Sequence, residues 1–149
     1  MHSKIIEISK RPIDRDDYIS IGCFDYEEYD HFADYIQGVE QERENDIMSW
    51  IDEYGIFNRK GRKLTLLDLN GFMEEWRKAI ITRANNIDFT EGLALYKLEE
   101  IIKETHKQSE LMFYFDDEFM TLGRLAFYLY NSYRPGNKFY IGGILDYHY

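Results

Sequence analysis

The stretch DYEEYDHFADYIQGVEQERENDIMSWIDEYG, residues 25–55, combines most of the chain's net negative charge with two helical patterns. From Asp25 to Asp46 it holds nine acids and a single base, Arg43, so it carries −8 of the chain's formal charge of −10. A segment this acidic sets the electrostatic character of the whole chain, and its apolar residues indicate how it folds.

Apolar residues in this stretch recur at three- and four-residue steps, which places them on one face of a helix. The first set is Tyr26, Tyr29, Phe32, Ala33 and Ile36, and the second is Ile47, Trp50, Ile51 and Tyr54. Gly38 is expected to separate the two helices, and Gly55 to end the second in a left-handed conformation. The sequence thus predicts two amphipathic helices with their carboxylates turned outward.

The outward carboxylates have two interpretations. A run of charge is usually an ordinary solvated face, whereas the functional alternative is a surface that binds a basic protein. In that alternative the acids speed encounter and exposed tyrosines anchor the partner, and Tyr35 is favoured because it lies off the inward stripe. The predicted protein-binding residues are Tyr26, Glu28, Asp30, Asp34 and Tyr35.

Three further helical stripes follow along the chain. They occupy Leu69–Ile87, Leu95–Thr105 and Phe119–Tyr133. Thr65–Asp68 and Asp88–Glu91 have the residue types of N-terminal caps for the first two helices. An alternative makes Arg62–Leu66 a strand and starts the first of these helices near Asn70.

Strand patterns are fewer and lie far apart. They occupy Lys4–Ser9, Leu111–Phe115 and Lys138–Tyr147, with Gly142–Gly143 as either a hairpin turn or a bulge in one longer strand. The first and last strands are candidates to pair. The expected fold class is α+β, mostly helical with about five helices, and a small sheet of roughly three short strands with the helices on one face. Residues 1–149 are expected to form a single domain.

Composition narrows the function classes. The 149 residues are 44% hydrophobic and 31% charged, which is typical of a folded, soluble chain. The lone Cys23 excludes an intrachain disulfide and a cysteine-based metal site. With neither a signal sequence nor a membrane span in the pattern, the prediction is a cytoplasmic protein. The net charge argues against nucleic-acid and membrane partners, although Arg59–Arg83 holds seven bases against three acids.

No catalytic signature is present. The chain lacks GxGxxG, GxxxxGK[ST] and GxSxG motifs, and its four histidines lack metal-ligand spacing, so neither a metal nor a cofactor is predicted. Cys23 is interpreted as a small buried apolar residue rather than a nucleophile. The cluster Asp116–Glu118 is interpreted as the start of the helix that follows it.

The leading hypothesis is a non-enzymatic protein-binding or regulatory module that presents its acidic, aromatic-containing helical face to a basic protein. The alternatives are an inhibitor that mimics DNA, an enzyme with a carboxylate or Cys23 site, and a structural homo-oligomer. One question decides how much acidic surface exists: whether the basic segment Arg59–Arg83 neutralises the acidic segment Asp25–Asp46 within the fold.

Overall fold

Seven strands form one mixed sheet in the computed structural model, which describes residues 2–23 and 35–148. The strands are β1 (His2–Ser9), β2 (Tyr35–Gly38), β3 (Phe57–Lys60), β4 (Lys63–Leu66), β5 (Leu111–Phe115), β6 (Glu118–Met120) and β7 (Lys138–His148). Their order is β3-β4-β7-β1-β5-β6, and β2 pairs with β7 outside this path. The β1–β5 pair is parallel and the other pairs are antiparallel.

The long strand β7 organises the sheet. One of its edges pairs with β1 along almost its whole length. The other edge pairs with β4 in its first residues, where Phe139 lies opposite Leu64, and with β2 in its last residues, where Leu145 lies opposite Gly38. The predicted pairing of the first and last strands is therefore confirmed.

A bulge interrupts the β1–β7 ladder at Gly142–Gly143. Ile6 pairs with Ile144 and Ile8 with Ile141, so two residues of β7 face the single residue Glu7. The Glu7 carboxylate accepts hydrogen bonds from the backbone N–H of Gly143, at 2.7 Å, and of Ile19, at 2.9 Å. Of the two sequence interpretations of the glycine pair, the bulge in a longer strand is confirmed.

Four helices lie in the described part of the chain: α1 (Gln41–Ser49), α2 (Asn70–Asn85), α3 (Ala94–Lys103) and α4 (Leu122–Ser132). Buried residues of α1, α2 and α4 join one sheet face in the main core, which includes Ile47, Phe72, Leu125, Phe113 and Phe139. A smaller apolar cluster is formed by Ile5, Ile19, Leu145 and Tyr147. No buried residue of α3 belongs to either cluster.

The expectation of a mostly helical chain with three strands is wrong, because four short strands escaped the sequence pattern. Each of β2, β3, β4 and β6 has only three or four residues, too few to show a clear alternation. The alternative that placed a strand at Arg62–Leu66 comes close, since β4 covers Lys63–Leu66 and α2 begins at Asn70.

The expected helix caps also form other local structures. Thr65 lies within β4, and the Asp68 carboxylate accepts the backbone N–H of Asn70 at 2.8 Å. Asp88 accepts the N–H of Thr90 at 2.9 Å in a turn, several residues before α3 begins. Short polar side chains can satisfy nearby backbone groups in turns as well as in caps, which explains the error.

The acidic cluster after β5 forms a turn instead of starting a helix. Asp116 and Asp117 have positive φ values of 50° and 60°, as a two-residue type I′ hairpin requires, and they connect β5 to β6. The following helix, α4, begins only at Leu122, where the Thr121 hydroxyl accepts the N–H of Arg124.

The two acidic helices predicted around Gly38 have different outcomes. Residues 26–34 of the first lie outside the described residues, and its last positions belong to strand β2, so a helix extending to Ile36 is wrong. The second is confirmed: α1 continues into a 3₁₀ turn at Trp50–Tyr54, and Gly55 ends it with a φ of 71°.

Candidate protein-binding surfaces

Helix α1 separates its apolar and acidic residues clearly. Ile47 and Met48 are buried in the main core, whereas Glu40, Glu42 and Asp46 are exposed. Those three carboxylates form no ion pair with any residue that the structure describes. We call Glu40, Glu42 and Asp46 the α1 acidic face.

Most of the predicted protein-binding residues lie outside the described part of the chain. Tyr26, Glu28, Asp30 and Asp34 all fall in residues 24–34, so their arrangement stays a prediction. Tyr35 is in β2, where its backbone lies opposite His148 of β7. Tyr35 was favoured as an anchor because of its position on a predicted helix, and that argument does not hold for a residue in a strand.

Two arginines of the basic segment form ion pairs with acids of residues 25–55, and one of these acids, Glu44, belongs to the acidic segment Asp25–Asp46. The guanidinium of Arg62 forms an ion pair with Glu44, donates to the carbonyl of Gly142 at 2.5 Å and lies 5.0 Å from the ring centre of Tyr18. Arg59 donates two hydrogen bonds to Asp52, at 3.0 and 2.8 Å. Since Glu44 is half-buried and paired within the fold, it is not part of the α1 acidic face.

A second surface is apolar and lies on helix α3. The sequence predicts Leu95, Leu98, Ile101 and Ile102 as inward-facing, yet Leu95 is 72% exposed and Ile102 55% exposed. Leu98 and Ile101 are half-buried, and only Ala94 is fully buried. The amphipathic pattern gave the signal for this surface, because it marks an apolar face whether or not the fold covers it.

The pair α2–α3 is attached to the rest of the chain by a small set of contacts. Phe72 of α2 is buried in the main core, and the Trp76 ring lies against Gly123 at the start of α4. Arg83 donates to the carbonyls of Glu104 and Thr105, both at 3.0 Å. These contacts fix α2 and the chain that follows α3, while they leave one side of α3 uncovered.

His106 forms part of this attachment. Its ring lies 4.7 Å from that of Phe72, and its buried Nδ1 has no hydrogen-bond partner among the described residues. Burial lowers the pKa of His106, and the nearby Lys107 lowers it further. The imidazole is therefore held in its neutral form against the aromatic ring.

A polar cluster of Lys10, Asp116 and Tyr128 lies at the β5–β6 turn. Lys10 lies 3.2 Å from Asp116, which also accepts the hydroxyl of Tyr128 at 2.9 Å. Hydrogen bonds to Tyr133 and Asp116 raise the pKa of Lys10, and the bond to Asp116 raises the pKa of Tyr128. These shifts keep the amine protonated and the phenol neutral at pH 7, the reverse of what an activated base or nucleophile needs.

A cavity of about 540 Å³ lies between residues 104–110 and the start of α4. Two of its polar groups already have structural partners: Arg83 binds two backbone carbonyls, and the Ser109 hydroxyl donates to that of Tyr54 at 2.8 Å. No nucleophile paired with a base is formed by these groups.

The described residues form no site that is built for a metal ion or for catalysis by a thiol. No group of three or more His, Cys, Asp or Glu residues there could hold a metal ion. Cys23 is exposed, so its interpretation as a buried apolar residue is wrong. Its sulfur accepts the N–H of Ser20 at 3.4 Å within a short 3₁₀ turn. Within residues 2–23 and 35–148, no helix is long and apolar enough to cross a membrane.

Comparison with known proteins does not change this description. No protein-family model matches the chain, and neither the curated proteins nor the solved structures gave a match. A function therefore has to be inferred from the chain's own surfaces.

Proposed function

We propose that the protein is a non-enzymatic protein-binding module that recognises a basic protein through an acidic surface. The observation that supports this proposal is the α1 acidic face, whose three carboxylates are exposed without an ion pair among the described residues. The helix that carries them is fixed by the burial of Ile47 and Met48. The carboxylates are thus held on a rigid element and remain available to a cationic partner.

Electrostatics and anchoring have separate roles in this proposal. The carboxylates raise the association rate of a basic partner, an effect that weakens with salt because counter-ions screen it. Tyr26, Glu28, Asp30, Asp34 and Tyr35 are proposed to extend the same surface, since they come just before α1 in the chain. A tyrosine exposed among carboxylates supplies the apolar area that slows dissociation.

The test compares two variants of equal net charge. One replaces the α1 acidic face with Glu40→Gln, Glu42→Gln and Asp46→Asn. The matched control neutralises three exposed acids elsewhere, with Glu99→Gln, Glu104→Gln and Glu110→Gln. The immobilised full chain and both variants are used to capture proteins from a lysate of the native host, with elution by a salt gradient.

A basic protein retained by the wild type and the control, but eluting at lower salt from the α1 variant, is the expected result. Equal elution from the two variants would mean that net charge alone drives retention, and it would remove the proposed surface. A third variant, Glu28→Gln with Asp30→Asn and Asp34→Asn, tests the predicted extension. Competition by duplex DNA for the captured protein would identify the DNA-mimic form of the hypothesis.

A further inference from the structure

Helix α3 presents an apolar seam with the spacing of a helix–helix contact. Leu95, Leu98 and Ile102 are separated by three and four residues, so they lie in line along two turns of one helix face. The outer two are 72% and 55% exposed. The loop that leads into the helix also exposes Leu93 and Phe89. Large apolar side chains exposed in line along a helix are typical of an interaction surface.

Most charged residues of the α2–α3 region form ion pairs within that region. The pairs are Glu74–Arg77, Glu75–Lys78, Glu91–Lys97 and Glu100–Lys103. Residues 70–107 contain six bases and seven acids, so the region is almost neutral within a chain of net charge −10. It therefore has no surplus charge with which to select an acidic or a basic partner.

These two properties suit a second copy of the same chain. Two molecules of charge −10 repel each other over most of their surfaces, but an almost neutral region can approach its own copy without that cost. In a two-fold contact between antiparallel α3 helices, Leu95 of one copy lies opposite Ile102 of the other, and the two Leu98 residues meet near the axis. The seam is then complementary to itself.

We propose that the Leu95–Leu98–Ile102 seam of α3 is a homodimer interface. The contact is independent of the α1 acidic face, so dimerisation doubles the acidic surface that one assembly presents to a basic partner. Two linked binding sites strengthen attachment to a partner with repeated basic segments, because the second contact forms at high effective concentration.

The first test measures the oligomeric state by sedimentation velocity over a wide range of protein concentrations. The wild type is expected to convert from monomer to dimer as concentration rises. Leu95→Gln with Ile102→Gln should weaken the dimer about tenfold or more, because the two changes remove the apolar contacts on both sides of the two-fold axis. The control is Phe127→Gln, which alters a similarly exposed residue, 57% exposed, on α4; it should leave the dimer intact.

A second experiment tests the antiparallel arrangement of the two α3 helices. In a Cys23→Ser background, chains carrying Leu95→Cys are mixed with chains carrying Ile102→Cys under mild oxidation. The antiparallel seam predicts that the mixed disulfide forms in preference to either identical pair. A wild type that stays monomeric at every concentration, even if it retains another protein on the seam, would overturn the proposal. A dimer that the double variant leaves unchanged would overturn it equally.

Discussion

Helices α1 and α3 are similar in length, yet the fold treats their apolar residues differently. Helix α1 has nine residues and buries Ile47 and Met48 in the main core. Helix α3 has ten residues and buries only Ala94, leaving Leu95 and Ile102 exposed. A pattern in the sequence shows which face of a helix is apolar, but only the arrangement of the other elements shows whether that face is covered.

The comparison also separates two kinds of interaction surface. On α1 the apolar face is used for folding, so the acidic face remains to meet a partner. On α3 both lysines already have acidic partners, Lys97 with Glu91 and Lys103 with Glu100, and the apolar face remains exposed. We therefore propose partners of different chemistry for the two helices, a basic protein for α1 and a second copy for α3.

The largest difference is expected when one apolar residue of each helix is truncated. Ile47→Ala removes a side chain that is only 2% exposed and should lower the free energy of unfolding by about 2–5 kcal/mol, because it leaves a cavity. Leu95→Ala should change it by less than about 0.5 kcal/mol. Urea unfolding at a protein concentration that keeps the chain monomeric measures both. Similar losses would mean that α3 is covered in the monomer.

An intermediate difference is expected between two arginine–glutamate pairs. Arg62→Gln removes the half-buried pair with Glu44 and the bond to the Gly142 carbonyl, and should cost about 1–3 kcal/mol because a carboxylate and a carbonyl lose a charged donor. Arg77→Gln breaks the fully exposed pair with Glu74 on α2 and should cause no resolvable loss. Thermal unfolding of both variants measures the two stability losses, and equal shifts in the unfolding midpoint would contradict the structural role of Arg62.

The smallest expected effect is on the pH dependence of stability, through His106 in the attachment of the α2–α3 region. Because the pKa of His106 is lower in the folded chain than in the unfolded one, folding favours neutral imidazole. This contribution is present above pH 6.5, the ordinary value, and is lost as the pH falls through the folded pKa. His106→Phe keeps a ring against Phe72 and removes the titration. Arg83 and Lys107 oppose protonation of His106, and Glu75 favours it.

The measurement is urea unfolding of the wild type and His106→Phe at pH 7.5 and pH 5.5. The wild type should lose more stability on acidification than the variant does, since the remaining histidines are common to both. An identical pH dependence in the two chains would show that His106 does not contribute to it.

The predictable part of the fold was the part with long or strongly apolar elements. The strands at Lys4–Ser9, Leu111–Phe115 and Lys138–Tyr147 were recognisable because each is an apolar run with β-branched or aromatic residues. Only one strand of the β3–β4 hairpin was considered, as the alternative at Arg62–Leu66, because residues Asn58–Lys63 are mostly charged and resemble a surface loop. In the fold β4 pairs with an edge of β7 and β3 pairs with β4, and this is a tertiary effect.

The candidate surfaces were predictable to different degrees. The outward carboxylates of α1 follow from spacing alone, whereas the commitment of Glu44 to Arg62 depends on bringing together two residues that lie eighteen positions apart. The exposure of Leu95 could not be predicted, because the 3.6-residue period is the same for a covered and an uncovered apolar face.

The position of β7 has a consequence for how the chain is made. Its partners β1, β4 and β2 are all synthesised earlier. Ser9 can pair with Tyr140, and His2 with His148, only after those residues of β7 have been synthesised. Until β7 leaves the ribosome, the edge of β1 that it covers has no partner strand, and the apolar faces of β1 and β4 lack their neighbour. Contacts between such distant residues form slowly, so the growing chain is exposed to wrong strand pairing for most of its synthesis. The short, highly charged β3–β4 hairpin lies beside the position that β7 later occupies. It lowers the risk of wrong strand pairing, because lysine and arginine discourage pairing with foreign strands.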